Sequence, residues 1–196
     1  MGDIQEEKKF LIQVDLEDVP VGLIEKKEAH LRGILHRAFS IFIFRKIGSS
    51  VELLLQQRAL HKYHSGGLWT NTCCSHAEPG IAIDVTAKHR LQEEMGFSCP
   101  LSFLGSFYYK TEVGSKMTEH EIDYVFSAFY NPSKIRLNPE EANGCKWMTI
   151  ELLQKELLSK PHEFTAWFPE AFKMALKFLG SAEKRKLPCP SDSMLE

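Results

Sequence analysis

The stretch GLWTNTCCSHAEPG near residue 70 places two adjacent cysteines and a histidine beside a tryptophan. Side chains alternate along a strand, so Cys73 and Cys74 would point to opposite faces. If Cys73 fills the core, Cys74 shares the other face with His76. A thiol in that position can be a metal ligand, a nucleophile or a base. The stretch by itself leaves these three roles open.

A second candidate group lies in the segment EHEID, residues 119–123. In a strand, Glu119, Glu121 and Asp123 would share one face, with neighbouring carboxylates about 6 to 7 Å apart. Such a spacing is unfavourable on a part-buried face unless a cation or a shared proton offsets the repulsion. The commoner meaning of this pattern is the solvent-exposed face of an edge strand, and the segment alone does not exclude it.

Three histidines strengthen the interpretation as a site: His30, His36 and His76. Imidazoles combined with carboxylates suit zinc, manganese or iron, whereas magnesium is served mainly by oxygen ligands. Taken singly, each histidine is also typical of a surface or a core position. Their spacing matches no compact metal motif such as HExxH, so spacing alone is weak support.

Basic residues surround these segments, namely Lys26, Arg58, Lys62 and Arg90. Arg58 ends the apolar run VELLLQQR and Lys62 follows one loop turn later, so both can converge on a phosphate. Two adjacent glutamates of a later helix, Glu93 and Glu94, offer carboxylates that can hold magnesium against such a phosphate. A solvated surface is the alternative for every one of these charges.

The elements that must position these residues are strands first and helices later. KKFLIQVD and the segment around residues 21–24 predict two short strands, and HRAFSIFIFRK with VELLLQQR predicts a hairpin buried on both faces. LSFLGSFYYKT, HEIDYVFSAFY and CKWMT also have strand composition. DVTAKHRLQEEMG predicts a helix capped by Asp84 and ended by Gly96. IELLQKELLSK and WFPEAFKMALKFLG predict two amphipathic helices, the second ending at Gly180.

Composition places these elements in one ordinary folded domain. The 196 residues are 43% hydrophobic and 26% charged, and 24 Lys and Arg nearly balance 26 Asp and Glu. We therefore expect an α+β domain over residues 1–180 and a disordered tail over 181–196, with neither nucleic acid nor membrane as a partner. The acidic start, the lack of a long apolar run and five cysteines without a CxxC pair predict a cytoplasmic protein with reduced thiols.

Six motifs in order carry a family resemblance: HRAFSIFIF, LLLQQR, WTNTCCSH, YYKT, EHEIDY and TAWF. From about Lys26 to Leu179 the chain resembles the type 1 isopentenyl-diphosphate isomerases, a family of the Nudix superfamily. The resemblance implies a mixed sheet flanked by helices, with an added N-terminal hairpin. It also implies a metal-dependent enzyme of isoprenoid biosynthesis that interconverts isopentenyl and dimethylallyl diphosphate by protonation and deprotonation.

The resemblance also implies roles for single residues. The catalytic thiol falls on Cys74, and the acid falls on Glu121 with Tyr109 beside it. The implied metal ligands are His30, His36, His76, Glu119 and Glu121. The implied diphosphate contacts are Lys26, Arg58, Lys62 and Arg90, and the implied pocket aromatics are Trp69 and Trp167.

Cofactors and partners follow from the same resemblance. One divalent ion, Zn²⁺, Mn²⁺ or Mg²⁺, would occupy the His/Glu group, and a second magnesium would lie between the diphosphate and Glu94. The expected partner is a small-molecule diphosphate, and the expected assembly is a monomer or a weak homodimer.

Departures from the general Nudix pattern keep a rival open. His89 and Arg90 stand where the Nudix box has Arg-Glu, and Ser75 and Ile81 stand at its upstream glycine and glutamate positions. These departures weaken, but do not remove, the alternative of a hydrolase that cleaves a diphosphate substrate. A third interpretation is a small zinc-stabilised interaction module with Cys74 and His76 as structural ligands.

Overall fold

The computed structural model describes residues 9–114 and 116–184. Within these residues the chain forms nine strands, four α-helices and a short 3-10 helix at Pro161–Glu163. The strands are β1 (Phe10–Val14), β2 (Pro20–Glu25), β3 (His36–Ile47), β4 (Ser50–Arg58), β5 (Trp69–Thr70), β6 (Cys73–His76), β7 (Ser102–Val113), β8 (Met117–Phe129) and β9 (Ala142–Thr149). The helices are α1 (Lys26–Arg32), α2 (Ile83–Met95), α3 (Ile150–Ser159) and α4 (Phe168–Lys184).

Strand β3 is the centre of the sheet because its run HRAFSIFIFRKI is apolar on both faces. It pairs antiparallel with β4 and β6 and parallel with β8. Beyond β8 lies β7, and beyond β4 lie β5 and β9. The N-terminal hairpin of β1 and β2 joins the sheet through the pair Gln13 and His36. The result is the mixed α+β sheet that the resemblance implies, including the added hairpin.

Alternate residues of β3 enter two separate cores. Phe39, Ile41 and Ile43 pack with α2 in one apolar cluster. Phe42 and Phe44 pack on the opposite face with α4 and Leu153 of α3. The same opposite face begins, nearer the start of β3, with the buried residues His36 and Ser40. Alternate residues of a strand share one face, so this face of β3 carries a polar group near its start and packs into an apolar core further along.

Most predicted elements are confirmed, with corrections at the helix ends. Helix α2 ends at Gly96 as expected, but Ala82 precedes it as N-cap without a side-chain hydrogen bond. Asp84 lies instead in the first turn and contacts Lys88 at 3.3 Å, so the prediction that it caps the helix is wrong. Helix α4 continues through Gly180 to Lys184, because one glycine costs a helix only about 1 kcal/mol. The predicted tail beyond residue 184 lies outside the described residues.

Helix α1 and the strands β5 and β6 were not predicted. Helix α1 is only seven residues long, and its N-cap Glu25 accepts hydrogen bonds from the backbone N–H groups of Lys27 and Glu28. The strands β5 and β6 span two and four residues, too short for a periodic pattern. Among the described helices, none combines the length and the apolar content needed to cross a membrane.

Gly96→Ala is expected to lower the free energy of unfolding more than Gly80→Ala. Both glycines have φ of +76°, where a side chain costs about 1 to 2 kcal/mol. A Cβ at Gly96 would also lie 2.6 Å from the backbone oxygen of Arg136, whereas nothing lies within 4 Å of one at Gly80. Urea unfolding followed by circular dichroism compares the two variants. Equal losses would show that the contact with residue 136 relaxes without cost.

Candidate active site

The acidic segment of β8 lies inside the sheet. Strand β8 is paired with β3 on one side and with β7 on the other. Glu119, Glu121 and Asp123 have only 3%, 5% and 1% of their surface exposed. The alternative of a solvent-exposed edge strand is therefore wrong, because both edges of β8 are occupied. Three buried carboxylates in one row need compensating partners.

Strand register brings the cysteine and the carboxylate to one face. His36 of β3 pairs with Glu121 of β8, and Ser40 of β3 pairs with Cys74 of β6. Residues directly opposite each other in a sheet share a face. Cys74 and Glu121 therefore flank β3 on the same face, and Tyr109, which pairs with Glu121, joins them from β7.

Five donors converge on this face, as the sequence predicts. One ligand atom from each residue lies within 4.8 Å of the others in the set His30, His36, His76, Glu119 and Glu121. Helix α1 supplies His30, which is fully buried, and the remaining four come from β3, β6 and β8. Within the described residues, this group is able to hold a metal ion.

The hydrogen bonds of two histidines indicate that a cation fits. Nδ1 of His30 lies 2.6 Å from the carbonyl oxygen of Lys26, and Nδ1 of His36 lies 2.7 Å from that of Ile34. A carbonyl only accepts, so each Nδ1 carries a proton, and in the neutral ring each Nε2 then presents a lone pair. Among the described residues, these Nε2 atoms and Oε2 of Glu119 are buried and have no hydrogen-bond partner. A divalent ion would satisfy all three atoms.

The two oxygens of Glu121 have different environments. Oε1 lies 3.1 Å from Nε2 of His76 and 3.3 Å from Nε2 of His36. Oε2 accepts a hydrogen bond of 2.7 Å from the hydroxyl of Tyr109. Burial opposes ionisation, but contacts with the ring of His36, with a smaller contribution from the hydroxyl of Tyr109, lower the pKa of Glu121 to about 2. Burial and the charges of Glu119 and Glu121 raise the pKa of Tyr109 well above its ordinary value.

The two cysteines divide as the alternation predicts. Cys73 is fully buried in the α2 core, while Cys74 is partly exposed on the face of His76. Burial raises the pKa of Cys74 to about 12, although the nearby guanidinium of Arg58 opposes that shift. Nη1 of Arg58 lies 3.7 Å from Sγ of Cys74. At neutral pH the protein by itself therefore favours the thiol.

Three of the predicted anion-binding cations lie close together. Burial lowers the pKa of Lys26, and the positive charges of Lys62 and Arg58 lower it further. Positive charges held close together at a part-buried position favour binding of an anion. Lys62 is also ion-paired with Glu141, a residue that the sequence analysis did not single out. Glu141 is one of two consecutive acidic residues in a loop, a pattern typical of exposed turns. Nothing in the sequence therefore indicated that it lies near the site.

Arg90 and Glu94 lie apart from the five-donor group. Arg90 binds Glu94 at 2.8 Å and Glu141 at 2.9 Å, and Gln56 donates to Glu94 at 2.9 Å. Glu141 therefore links Arg90 to Lys62 in one network of opposite charges. Glu94 is therefore not part of the His/Glu group, and the second magnesium position that the resemblance implies stays a prediction.

The two tryptophans have different surroundings. Trp167 is buried, donates to Oδ1 of Asn71 at 3.3 Å, and has the guanidinium of Arg58 over its ring at 5.3 Å. Trp69 packs against the α4 core, and Nζ of Lys146 lies 4.0 Å from its ring centre. Trp167 thus shares Arg58 as a neighbour with Cys74.

Comparison with known proteins accounts for this arrangement. The NUDIX domain family matches residues 34–168. The isopentenyl-diphosphate Delta-isomerase of Serratia proteamaculans is 46% identical over 160 residues, covering 82% of this chain and 87% of that protein. The chain belongs to the isopentenyl-diphosphate Delta-isomerase family. Its member from Photobacterium profundum is 41% identical over 173 residues, 87% of this chain and 96% of its own length.

Solved structures outside this isomerase family share its fold. The Ap4A hydrolase of Caenorhabditis elegans superimposes with a TM-score of 0.54 at 20% identity, covering 74% of this chain and 98% of that protein. DR0079 of Deinococcus radiodurans gives a TM-score of 0.58 at 16% identity, covering 78% of this chain and 90% of that protein. At such identities the likeness shows the Nudix fold alone.

Proposed function

We propose that the protein interconverts isopentenyl diphosphate and dimethylallyl diphosphate, a step of isoprenoid biosynthesis. The reaction moves a double bond by adding a proton at C4 and removing one from C2, through a tertiary cation at C3. It needs an acid and a base near one substrate and little water to trap the cation. The observation that carries the proposal is the position of Cys74 and the Tyr109–Glu121 pair on one face, flanking β3.

On the acid side, Tyr109 and Glu121 share one proton. The hydroxyl of Tyr109 donates to Oε2 of Glu121, which leaves Oε1 among the histidine nitrogens. A carboxyl group that binds a cation through one oxygen can still exchange a proton through the other. This division supports Glu121 as the acid that protonates C4, with Tyr109 relaying a proton from solvent to Glu121.

On the base side, Cys74 would accept the proton from C2. Both directions of the reaction need one proton on this acid/base pair. Glu121 carries it before dimethylallyl diphosphate forms, and Cys74 carries it afterwards. With Cys74 as thiol and Glu121 ionised, the site holds the arrangement that follows formation of dimethylallyl diphosphate. The opposite direction starts from this arrangement, with the thiol as donor. Arg58, 3.7 Å from Sγ, favours the thiolate that the forward direction requires.

The ligand sites follow from the charges. A divalent ion bound by the His/Glu group would supply positive charge that holds Glu121 in place. Zn²⁺ and Mn²⁺ suit its imidazoles and carboxylates, and Mg²⁺ would be served mainly by the two carboxylates. The part-buried cations Lys26, Arg58 and Lys62 would bind the diphosphate. A magnesium ion bound with the diphosphate would be held by Glu94. The ring of Trp167 would face the tertiary carbocation and stabilise it by about 1 to 2 kcal/mol.

The rivals are less well supported. In the Nudix helix α2, Arg90 forms ion pairs with both Glu94 and Glu141, and a hydrolase gives no role to Cys74. A zinc-stabilised module needs the metal to fold, whereas this chain has two apolar cores of its own.

The four cysteines in the described part carry free thiols, which supports a reducing, cytoplasmic compartment.

Incubation of the purified protein with isopentenyl diphosphate and magnesium in deuterated water tests the function. We expect dimethylallyl diphosphate carrying deuterium in the methyl group formed at C4, because the acid exchanges with solvent through Tyr109. Mass spectrometry and NMR measure the label, and a phosphate assay runs in parallel. Release of phosphate without labelled product would favour the hydrolase instead.

A further inference from the structure

A fourth histidine borders the metal group without belonging to the five donors. His64 is 6% exposed, and its Nε2 lies 3.0 Å from Oε1 of Glu119. The other oxygen of Glu119, Oε2, lies 3.4 Å from Nε2 of His30. The two carboxylate oxygens therefore face two different imidazoles.

The two imidazoles have opposite proton positions. In neutral His30 the proton is on Nδ1, because that atom contacts a backbone carbonyl, and Nε2 carries a lone pair. At Nδ1 of His64 the contact is instead the hydroxyl of Ser65, which lies 3.3 Å away and can donate to it. Oε1 of Glu119 is charged and only accepts, so it selects the proton on Nε2 of His64. His64 is therefore a hydrogen-bond donor to Glu119, and His30 is a metal ligand.

The loop that carries His64 has an unusual backbone. Ser65 has a φ of +52°, a conformation that costs a residue other than glycine about 1 to 3 kcal/mol. At Gly66 a Cβ would lie 2.6 Å from the carbonyl oxygen of Leu60. Hydrogen bonds between Arg58 and Gly67 (3.1 Å) and between Arg58 and Leu68 (3.0 Å) close the loop. These contacts hold His64 at the buried carboxylate despite the conformational cost.

We propose that His64 is a positioning residue for the metal site. Its Nε2–H holds Oε1 of Glu119, so that Glu119 presents only Oε2 to a divalent ion beside His30. The inference rests on the metal group of the proposed function. It adds a residue outside the ligand set that the resemblance implies, and it gives that residue a role through Glu119 alone.

A titration with Mn²⁺ alone tests the role, with free Mn²⁺ read by electron paramagnetic resonance. Removal of a partner of a metal ligand typically weakens metal binding about 10 to 100-fold, and we expect this increase of Kd for His64→Leu. His64→Gln keeps an N–H of similar reach and is expected to stay within about threefold of wild type. His61→Leu is the matched control, because His61 lies in the same loop but is 58% exposed.

Each outcome decides for or against the proposal. A wild-type Kd for His64→Leu would overturn it, and so would equal losses in the Leu and Gln variants, since a merely structural role does not distinguish them. If the Leu variant fails to fold, X-ray absorption of the Zn²⁺-loaded wild type decides: three imidazoles support the positioning role, and four make His64 a ligand. Metal binding needs no turnover, so failure of the isomerase assay would be separate.

Discussion

Cys74→Ala is expected to lower kcat for isomerisation by about 10²- to 10⁴-fold, the usual range for loss of one acid/base group. Alanine leaves C2 without a group that can exchange its proton, while Arg58 and the other cations that would bind the diphosphate are untouched. The Kd for isopentenyl diphosphate, measured by calorimetry, should therefore remain within a few-fold of wild type. Initial rates by a radiolabel or NMR assay give kcat.

Cys73→Ala is the matched control for that variant. Cys73 is the adjacent residue with the same side chain, but it is fully buried in the α2 core on the other face of β6. Its replacement removes one buried sulfur and is expected to reduce stability with kcat nearly unchanged. If the two variants retained similar activity, Cys74 would have no role in proton transfer.

Glu121→Gln is expected to lower kcat at least as strongly, and added metal should not restore it. The amide keeps the shape of the side chain but cannot exchange a proton with Tyr109. In the unsubstituted protein, the hydroxyl of Tyr109 donates to Oε2 of Glu121 at 2.7 Å. It also removes a negative charge between His36 and His76, so that metal affinity falls too. Rates measured over a range of Mn²⁺ concentrations separate the two effects.

Glu119→Gln provides the comparison for Glu121. Glu119 lies on the same face of β8, is equally buried, and belongs to the same five-donor group. It is expected to act through the metal alone, so its loss of rate should be recovered at high Mn²⁺ concentration. Recovery of Glu121→Gln to a near-normal rate under the same conditions would exclude Glu121 as the acid.

Sequence periodicity predicted well those segments in which the type of each residue matches its own burial or backbone conformation. The run HRAFSIFIF predicts a strand buried on both faces, and β3 pairs with neighbours on both sides and enters two cores. Gly96 ends α2 because its φ of +76° is a local property. The capping prediction failed at Asp84, since a cap depends on the chain direction before the helix, and Ala82 occupies that position.

Assignment of the site residues depended on contacts between distant parts of the chain. Alternation alone placed Glu119 and Glu121 on one face but could not show whether that face was buried. The answer came from the order of the strands, in which β8 lies between β3 and β7. His64 and Glu141 carried no signal, because each acts on a partner more than fifty residues away, at Glu119 and Arg90 respectively.

Motifs along the chain were enough to identify the family and the types of the principal elements, and their order predicted the five donors and Cys74. Which of these atoms face each other depended on packing: Oε2 of Glu121 lies toward Tyr109, and Oε1 lies toward the histidines. The physical reason is that local patterns fix backbone conformation and side-chain direction. Strand register and burial, which set proton positions and charge, arise only when distant segments pack together.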